Sequence, residues 1–306
     1  MVSETVRGVA AIGGAAVIWG LSPIFYNALA HVPPLDVLAH RLLWSLVLFG
    51  SVLALQRRLP LVWQAVSTGR TFGLMLLAAV LVALNWAIFI WAVQTGQTTQ
   101  SSLGYYIYPL VAVVLGRVFF AERLSAVQWV AVALVTAAVL LLVAGLGTVP
   151  VTALALAVSF SFYGLVKKYI SAGPVVSVTA EVMLVSPLAL ALMWHSWHSG
   201  DAVFGGDPAS AVLLVLAGPV TAVPLILFSY GARRLAMSTV GLLLYLNPTM
   251  QFSVAVFLFG ELFTGWHLAA FALIWTALAL YSASGFRQER ASRKATQAEA
   301  VSGTAV

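Results

Sequence analysis

Long apolar stretches alternate with short polar connections along almost the whole chain. About 20 apolar residues form a helix long enough to cross a bilayer core about 30 Å thick. Ten stretches reach that length, and we place them at Gly8–Ala30, Leu35–Leu55, Thr71–Thr95, Gln100–Ala121, Ala126–Leu146, Val149–Ile170, Val175–Trp194, Ala211–Gly231, Thr239–Gly260 and Trp266–Ala283. The pattern therefore predicts an all-α integral membrane protein with ten transmembrane helices, followed by a solvated, disordered cytoplasmic tail over residues 286–306.

Composition supports the same fold class. Of the 306 residues, 62% are hydrophobic and 8% are charged, whereas soluble domains carry about 25% charged residues. The chain has no cysteine, which excludes disulfides, thiol nucleophiles and cysteine-ligated metals. The five histidines show no ligand spacing, and no nucleotide-binding loop is present. We therefore predict neither a cofactor nor a metal.

The distribution of basic residues predicts the orientation of the chain. With ten spans, every Lys and Arg except Arg41 falls on one side, in groups at Arg7, 57–70, 117–123, 167–168, 233–234 and 287–294. The connections on the opposite side, at 31–34, 96–99, 147–148, 195–210 and 261–265, contain none. The positive-inside rule then places both termini in the cytoplasm and the chain in the cell membrane. Because these charges are spread over loops, no basic face for nucleic acid is predicted; the expected partners are lipid and a small-molecule substrate.

The two halves of the chain resemble each other. A shift of 139 residues aligns Tyr106 with Tyr245 and Pro109 with Pro248 without a gap. Each half contains five predicted spans, an odd number, so the second half enters the membrane upside down relative to the first. This pattern predicts two inverted five-helix repeats, at 1–146 and 147–285, an architecture that many secondary transporters use for alternating access.

Several motifs together resemble the RarD group of EamA-type permeases, within the drug/metabolite transporter superfamily. They are Trp19-Gly-Leu-Ser-Pro-Ile-Phe-Tyr26, His40-Arg-Leu-Leu-Trp44, Leu84-Asn-Trp-Ala-Ile-Phe-Ile-Trp91, Ser102-Leu-Gly-Tyr-Tyr-Ile-Tyr-Pro109, Ala217-Gly-Pro-Val-Thr-Ala-Val-Pro224 and Tyr245-Leu-Asn-Pro-Thr-Met-Gln251. The resemblance spans about residues 5–285. It implies an inner-membrane permease of two inverted EamA repeats, with a central cavity open to one side at a time. Members of this superfamily mostly export amino acids, metabolites or drugs.

Charged residues inside spans are costly and commonly functional. Arg41 lies near the outer end of the second span, and Glu181, at the equivalent repeat position, lies near the inner end of the seventh. Arg41 either attracts a substrate carboxylate or extends its charged end to the outer surface. Glu181 either lines the inner vestibule or bonds a neighbouring helix. His40 and Glu181 are the candidate proton carriers.

Polar and proline residues within spans supply further candidates. Asn85 and Asn247 need hydrogen-bond partners at membrane depth and are expected to face the bundle interior. Pro109 and Pro248 each remove a backbone donor midway along a span, so they are candidate hinges beside a central site. The alternative for both prolines is simple bending of a packed helix.

Aromatic residues within spans complete the predicted site. A cavity lined by such rings suits aromatic, cationic or amphiphilic molecules. The alternative is helix packing and interfacial anchoring. The candidates are Trp19, Trp86, Phe89, Tyr105, Tyr108, Tyr163 and Tyr245.

These observations favour a permease, not an enzyme, that exports amino-acid-like or aromatic, amphiphilic molecules by alternating access. Transport would run on a gradient, and proton antiport is the favoured option. A membrane-embedded lipid-modifying enzyme is one alternative, but it would need a cluster of His, Asp and Glu at one depth. The second alternative is a channel or non-transporting scaffold, for which paired kinks in an inverted repeat have no evident use.

The orientation is testable because the chain contains no cysteine. In intact cells an impermeant maleimide should label Ser199→Cys, in the predicted outer loop, and not Ser67→Cys, in a predicted inner loop. The Ser67→Cys protein should become reactive only after permeabilisation. Labelling of Ser67→Cys but not Ser199→Cys in intact cells would invert the orientation.

Overall fold

The computed structural model describes residues 4–121, 124–200, 203–235 and 237–283. The predicted tail at 286–306 lies outside the described residues. Every secondary-structure element assigned in the described ranges is a helix, which confirms the all-α prediction. They are α1 Glu4–Ala28, α2 Pro34–Leu55, α3 Pro60–Ala65, α4 Gly69–Gln94, α5 Thr98–Phe120, α6 Ala126–Leu146, α7 Val151–Lys167, α8 Pro174–Ser199, α9 Pro208–Ala232, α10 Met237–Leu244, α11 Leu246–Ser253, a π-helical turn Val254–Leu258 and α12 Gly265–Ala283.

Ten helical segments correspond to the ten predicted spans. In the described residues nine are long and apolar enough to cross a membrane, and α7 is a shorter apolar helix of 17 residues. The span predicted at Val149–Ile170 is too long, because Pro150 stands at the N-cap and the chain turns after Lys168. The pattern of apolar residues does not predict the short helix α3, in the connection between α2 and α4.

The two repeat-related prolines lie in different local structures. Helix α5 continues through Pro109, and the Tyr108 carbonyl accepts a hydrogen bond from Ser161 Oγ at 3.0 Å. The ninth span is instead divided at Tyr245, between α10 and α11. Pro248 lies in the first turn of α11, where its missing N–H sacrifices no intrahelical bond.

Several helix contacts have a counterpart in which each helix is replaced by the equivalent helix of the other half, as an inverted repeat requires. Helix α5 packs on α7, and α11 packs on α1; α4 packs on α7, and α9 packs on α1. Helix α2 contacts α9, and α8 contacts α4, while α2 and α8 also contact each other. Matched pairs of this kind support the two-repeat prediction and place α2 and α8 together at the centre.

Small residues allow the central helices to approach closely. A Cβ built on Gly218 of α9 would lie 2.5 Å from the Trp44 Cβ of α2. A Cβ on Gly104 of α5 would lie 2.7 Å from the Ala153 carbonyl oxygen of α7. Larger side chains at these glycines would separate helices that position the site.

Polar contacts distinguish the two ends of the bundle. At one end Ser196 Oγ donates to Asp36 at 2.6 Å, and the N–H groups of Thr98 and Thr99 donate to the Glu261 carboxylate, each at 2.7 Å. This is the end of the connections without Lys or Arg, and we call it the predicted outer end. The opposite, predicted inner end carries basic groups such as Arg234, which bonds Glu4.

Candidate substrate-binding site

Arg41 is buried inside the bundle. It lies seven residues after the first residue of α2, about 10 Å along the helix axis from the predicted outer end. It is only 6% exposed, so it does not extend to the surface. Its Cζ atom lies 4.1 Å from the centroid of the Trp86 ring and 5.5 Å from that of Tyr26.

Two donor atoms of the Arg41 guanidinium lack acceptors. Its Nε and Nη1 atoms are buried without a hydrogen-bond partner. Trp86 and Tyr26 present aromatic rings, and contact with a ring face compensates only part of the cost of removing a cation from water. Arg41 is therefore a buried positive charge with two unused donor atoms.

His40, the residue before Arg41 on α2, contacts different neighbours from this guanidinium, toward the predicted outer end. Its Nδ1 is within 3.3 Å of the Trp44 indole nitrogen, and its ring centroid lies 4.7 Å from that of Phe204. A small pocket there is also lined by Asp36 and Ser196. His40 is thus placed as a group of the outer pocket.

A line of aromatic rings runs from the surroundings of Arg41 toward the predicted inner end. Its members are Tyr26, Phe89, Tyr105, Phe160 and Tyr163, and we call it the ring chain. Successive centroids lie 5.7, 5.9, 6.1 and 5.6 Å apart, within the range of favourable aromatic contact. The rings come from α1, α4, α5 and α7, so the chain joins both predicted repeats.

Tyr108 and Phe160 pack together beside Tyr105. Tyr108 joins the ring chain from the side, with its centroid 5.1 Å from that of Phe160. Phe160 is absent from the predicted site, because no feature of the sequence distinguishes it from other phenylalanines in apolar helices. Its position follows from the close packing of α5 on α7.

Asn85 positions Tyr105. Its Nδ2 donates to the Leu156 carbonyl at 3.0 Å and to Ser159 Oγ at 2.9 Å, while its Oδ1 accepts from the Tyr105 hydroxyl at 3.2 Å. The amide is fully buried and both its polar atoms have partners. Asn85 therefore fixes α4 against α7 and orients one ring of the chain.

A partly buried ion pair lies at the end of the ring chain toward the predicted inner end. The Glu181 side chain is fully buried, and Lys167 Nζ contacts its Oε1 atom. The Tyr163 hydroxyl donates to Glu181 Oε2 at 2.9 Å, and Lys167 also contacts Ser177 Oγ. The sequence predicts only a topogenic role for Lys167, whereas the α7–α8 turn brings its ammonium group to Glu181.

The remaining predicted residues lie in separate surroundings. The Trp19 ring centroid lies 6.2 Å from that of Phe228, between α1 and α9. Tyr245 occupies the break in the ninth span and packs with the cluster around α6 and α12. Asn247 Oδ1 accepts from Gln251 Nε2 at 2.8 Å. The structure thus brings together Arg41, Trp86, the ring chain and Glu181, and leaves these three residues apart from it.

Comparison with known proteins identifies several relatives. The EamA-like transporter family model matches residues 6–144. An uncharacterized transporter of Vibrio cholerae is 39% identical over 94% of this chain and 96% of its own length. The uncharacterized transporter YojE of Bacillus subtilis is 39% identical over 95% of this chain and 98% of its own length. Protein RarD of Escherichia coli is 36% identical over 95% of this chain and 99% of its own length.

A solved crystal structure shares the fold. It superposes with a TM-score of 0.61 and 17% identity, over 90% of this chain and 96% of that chain. At this identity the likeness concerns the fold alone.

The Lys167–Glu181 pair predicts how single and double substitutions change the free energy of unfolding. Lys167→Met should lower the free energy of unfolding by on the order of 3 kcal/mol, because it leaves the Glu181 carboxylate buried without its cation. The double variant Lys167→Met/Glu181→Met should recover more than half of that loss. Chemical unfolding in detergent measures both, with exposed Lys168→Met as the matched control. Equal losses in the single and double variants would contradict this account of the pair.

Proposed function

The chain belongs to the RarD group of EamA-type permeases, and on that premise we propose that it exports small organic molecules by alternating access. Its relatives are named as transporters, so it is a transporter and not an enzyme. As a multi-pass protein of a bacterial permease family, it resides in the cell membrane. We infer its cargo, its direction and its coupling from the geometry of the site.

The ring chain is the observation that carries this proposal. Aromatic faces at membrane depth bind amphiphilic and aromatic molecules without demanding one fixed hydrogen-bond pattern. A path of rings between a buried cation and a partly buried ion pair would provide such a surface across the middle of the bundle. Trp86, Phe89, Tyr105, Tyr108 and Tyr163 are the proposed substrate contacts.

The arrangement of the halves supports alternating access. Arg41 and Glu181 occupy equivalent positions, each seven residues into α2 or α8, and these helices meet at the centre. One charge lies toward each end of the bundle. Exchange of the two repeat conformations would therefore alter the surroundings of the two charges in opposite directions, as a carrier requires.

We also propose that protons drive export through Glu181. Protonation would neutralise this carboxylate and release Lys167, which weakens the contact between α7 and α8 at the predicted inner end. His40 is the corresponding candidate near the predicted outer end, where it borders a pocket.

Transport into proteoliposomes tests cargo and coupling together. With a panel of amino acids, aromatic acids and amphiphilic drugs, we expect saturable movement of at least one class, accelerated several-fold by a pH gradient. Glu181→Gln should abolish the acceleration and retain exchange down the substrate gradient, because the titratable group is gone. His195→Gln, in the last turns of α8 at the predicted outer end, is the control.

If no compound of the panel crosses faster than in protein-free liposomes, the permease activity proposed here is wrong for these cargo classes. If Glu181→Gln keeps its full response to pH, proton coupling does not run through this residue.

The proposed hinges make a separate prediction. Replacing Pro109 with Ala restores a backbone donor within α5, and replacing Pro248 with Ala removes the fixed φ angle beside the break in the ninth span. The double variant should reach the membrane in normal amounts and transport several-fold more slowly. Pro187→Ala, within α8, controls for the loss of a proline unrelated to the repeat. Normal transport by the double variant would show that the two prolines serve packing only.

A further inference from the structure

We propose that the substrate is an aromatic organic anion whose carboxylate binds between Arg41 and Tyr26, an inference that rests on the permease function proposed above. Arg41 has two buried nitrogens without an acceptor, and the Tyr26 hydroxyl is also buried without a partner. Tyr26 is only 1% exposed, and its ring lies 5.5 Å from the guanidinium. Two neighbouring side chains thus hold unused donors.

Burying hydrogen-bond donors without acceptors is costly in free energy. A buried N–H or O–H without an acceptor keeps its full desolvation penalty, and the penalty is greater for a charged group. Sequences normally avoid it with a paired carboxylate or an apolar replacement. A carboxylate offers several acceptor sites to such donors, and it is the group that a guanidinium binds best.

The described chain supplies no carboxylate for Arg41. Asp36 accepts from Ser196, and Glu181 is bonded by Lys167 and Tyr163. The other three described carboxylates are also bonded elsewhere, namely Glu4 to Arg7 and Arg234, Asp207 to Ser210, and Glu261 to Thr98 and Thr99. We therefore assign the acceptor to a bound molecule.

The surroundings define the rest of the ligand. The Trp86 ring lies 4.1 Å from the Arg41 Cζ atom, and the ring chain continues from Tyr26 through Phe89 to Tyr105. These ring faces fit a ligand whose remaining part is planar and apolar. An amino acid would also need an acceptor for its ammonium group, and the carboxylate at the far end of the ring chain, Glu181, is already occupied. A monoanion fits better than a zwitterion.

Direct binding to the purified full-length protein tests this inference independently of transport. The probes are indole-3-acetate, its uncharged amide indole-3-acetamide, and the zwitterion tryptophan, measured by calorimetric titration in nanodiscs. We expect the acid to bind at least about tenfold more tightly than the amide, because charge-assisted hydrogen bonds are lost with the carboxylate. Tryptophan should bind more weakly than the acid.

Variants connect that preference to the residues. Arg41→Gln should abolish the difference between acid and amide, and Arg41→Lys should not restore it, since a lysine offers a compact charge without the planar guanidinium. Tyr26→Phe should weaken binding of the acid several-fold. Arg58→Gln removes an exposed arginine and should leave binding unchanged.

Stability without ligand distinguishes recognition from a structural role. Because no carboxylate of the described residues pairs with Arg41, Arg41→Gln should leave the Tm of the ligand-free protein unchanged or raise it. A lower Tm in Arg41→Gln would assign the arginine to folding and overturn the inference. Equal binding of acid and amide, tighter binding of tryptophan, or no measurable binding of the acid would overturn it as well. Transport of uncharged cargo would in those cases leave the permease function standing.

Discussion

The cost of burying charge in a membrane protein governs the centre of this bundle. Glu181 and Arg41 lie at equivalent depths from opposite ends, on two helices that meet at the repeat interface. The chain compensates one of them with Lys167, Tyr163 and a short turn between α7 and α8. It leaves the other with aromatic faces and unused donors. This difference between two equivalent positions is the basis for placing the proposed binding site at Arg41.

The aromatic residues of the ring chain lie between Arg41 and the Lys167–Glu181 pair. Each ring is held by neighbours from other helices, and Asn85 fixes Tyr105 through hydrogen bonds to α7. Rings restrained in this way lose little conformational freedom when a ligand arrives. The charged groups of the proposed site therefore lie at its ends, and its middle consists mainly of aromatic rings from both predicted repeats. Under the proposed function, we expect this surface to accept apolar groups of varied shape and to select ligands mainly by charge.

The extent of sequence-based prediction depends on how local each signal is. Span positions are predicted well, because hydropathy accumulates over about 20 neighbouring residues, and the buried charges stand out against an apolar background. The role of Lys167 is not predicted, because its partner is 14 residues away and across a turn. Phe160 and Tyr26 acquire meaning only through packing between helices. The contrast between α5 and the divided ninth span is likewise hidden, since Pro109 and Pro248 look equivalent in the repeat.

The asymmetry of the two charged positions has a consequence for transport. By the repeat shift, the residue of the first half that corresponds to Lys167 is Ala28, or Asn27 at the offset that relates Arg41 to Glu181. Neither can supply a counter-ion to Arg41 when the α1–α2 end closes. An unpaired guanidinium would then be enclosed at a high desolvation cost, whereas a guanidinium that holds a carboxylate would not. We therefore expect an anion bound at Arg41 to make closure of the predicted outer end more favourable, whereas Lys167 allows the predicted inner end to close without one. An uncharged analogue that binds the rings would accordingly occupy the site and still fail to promote closure.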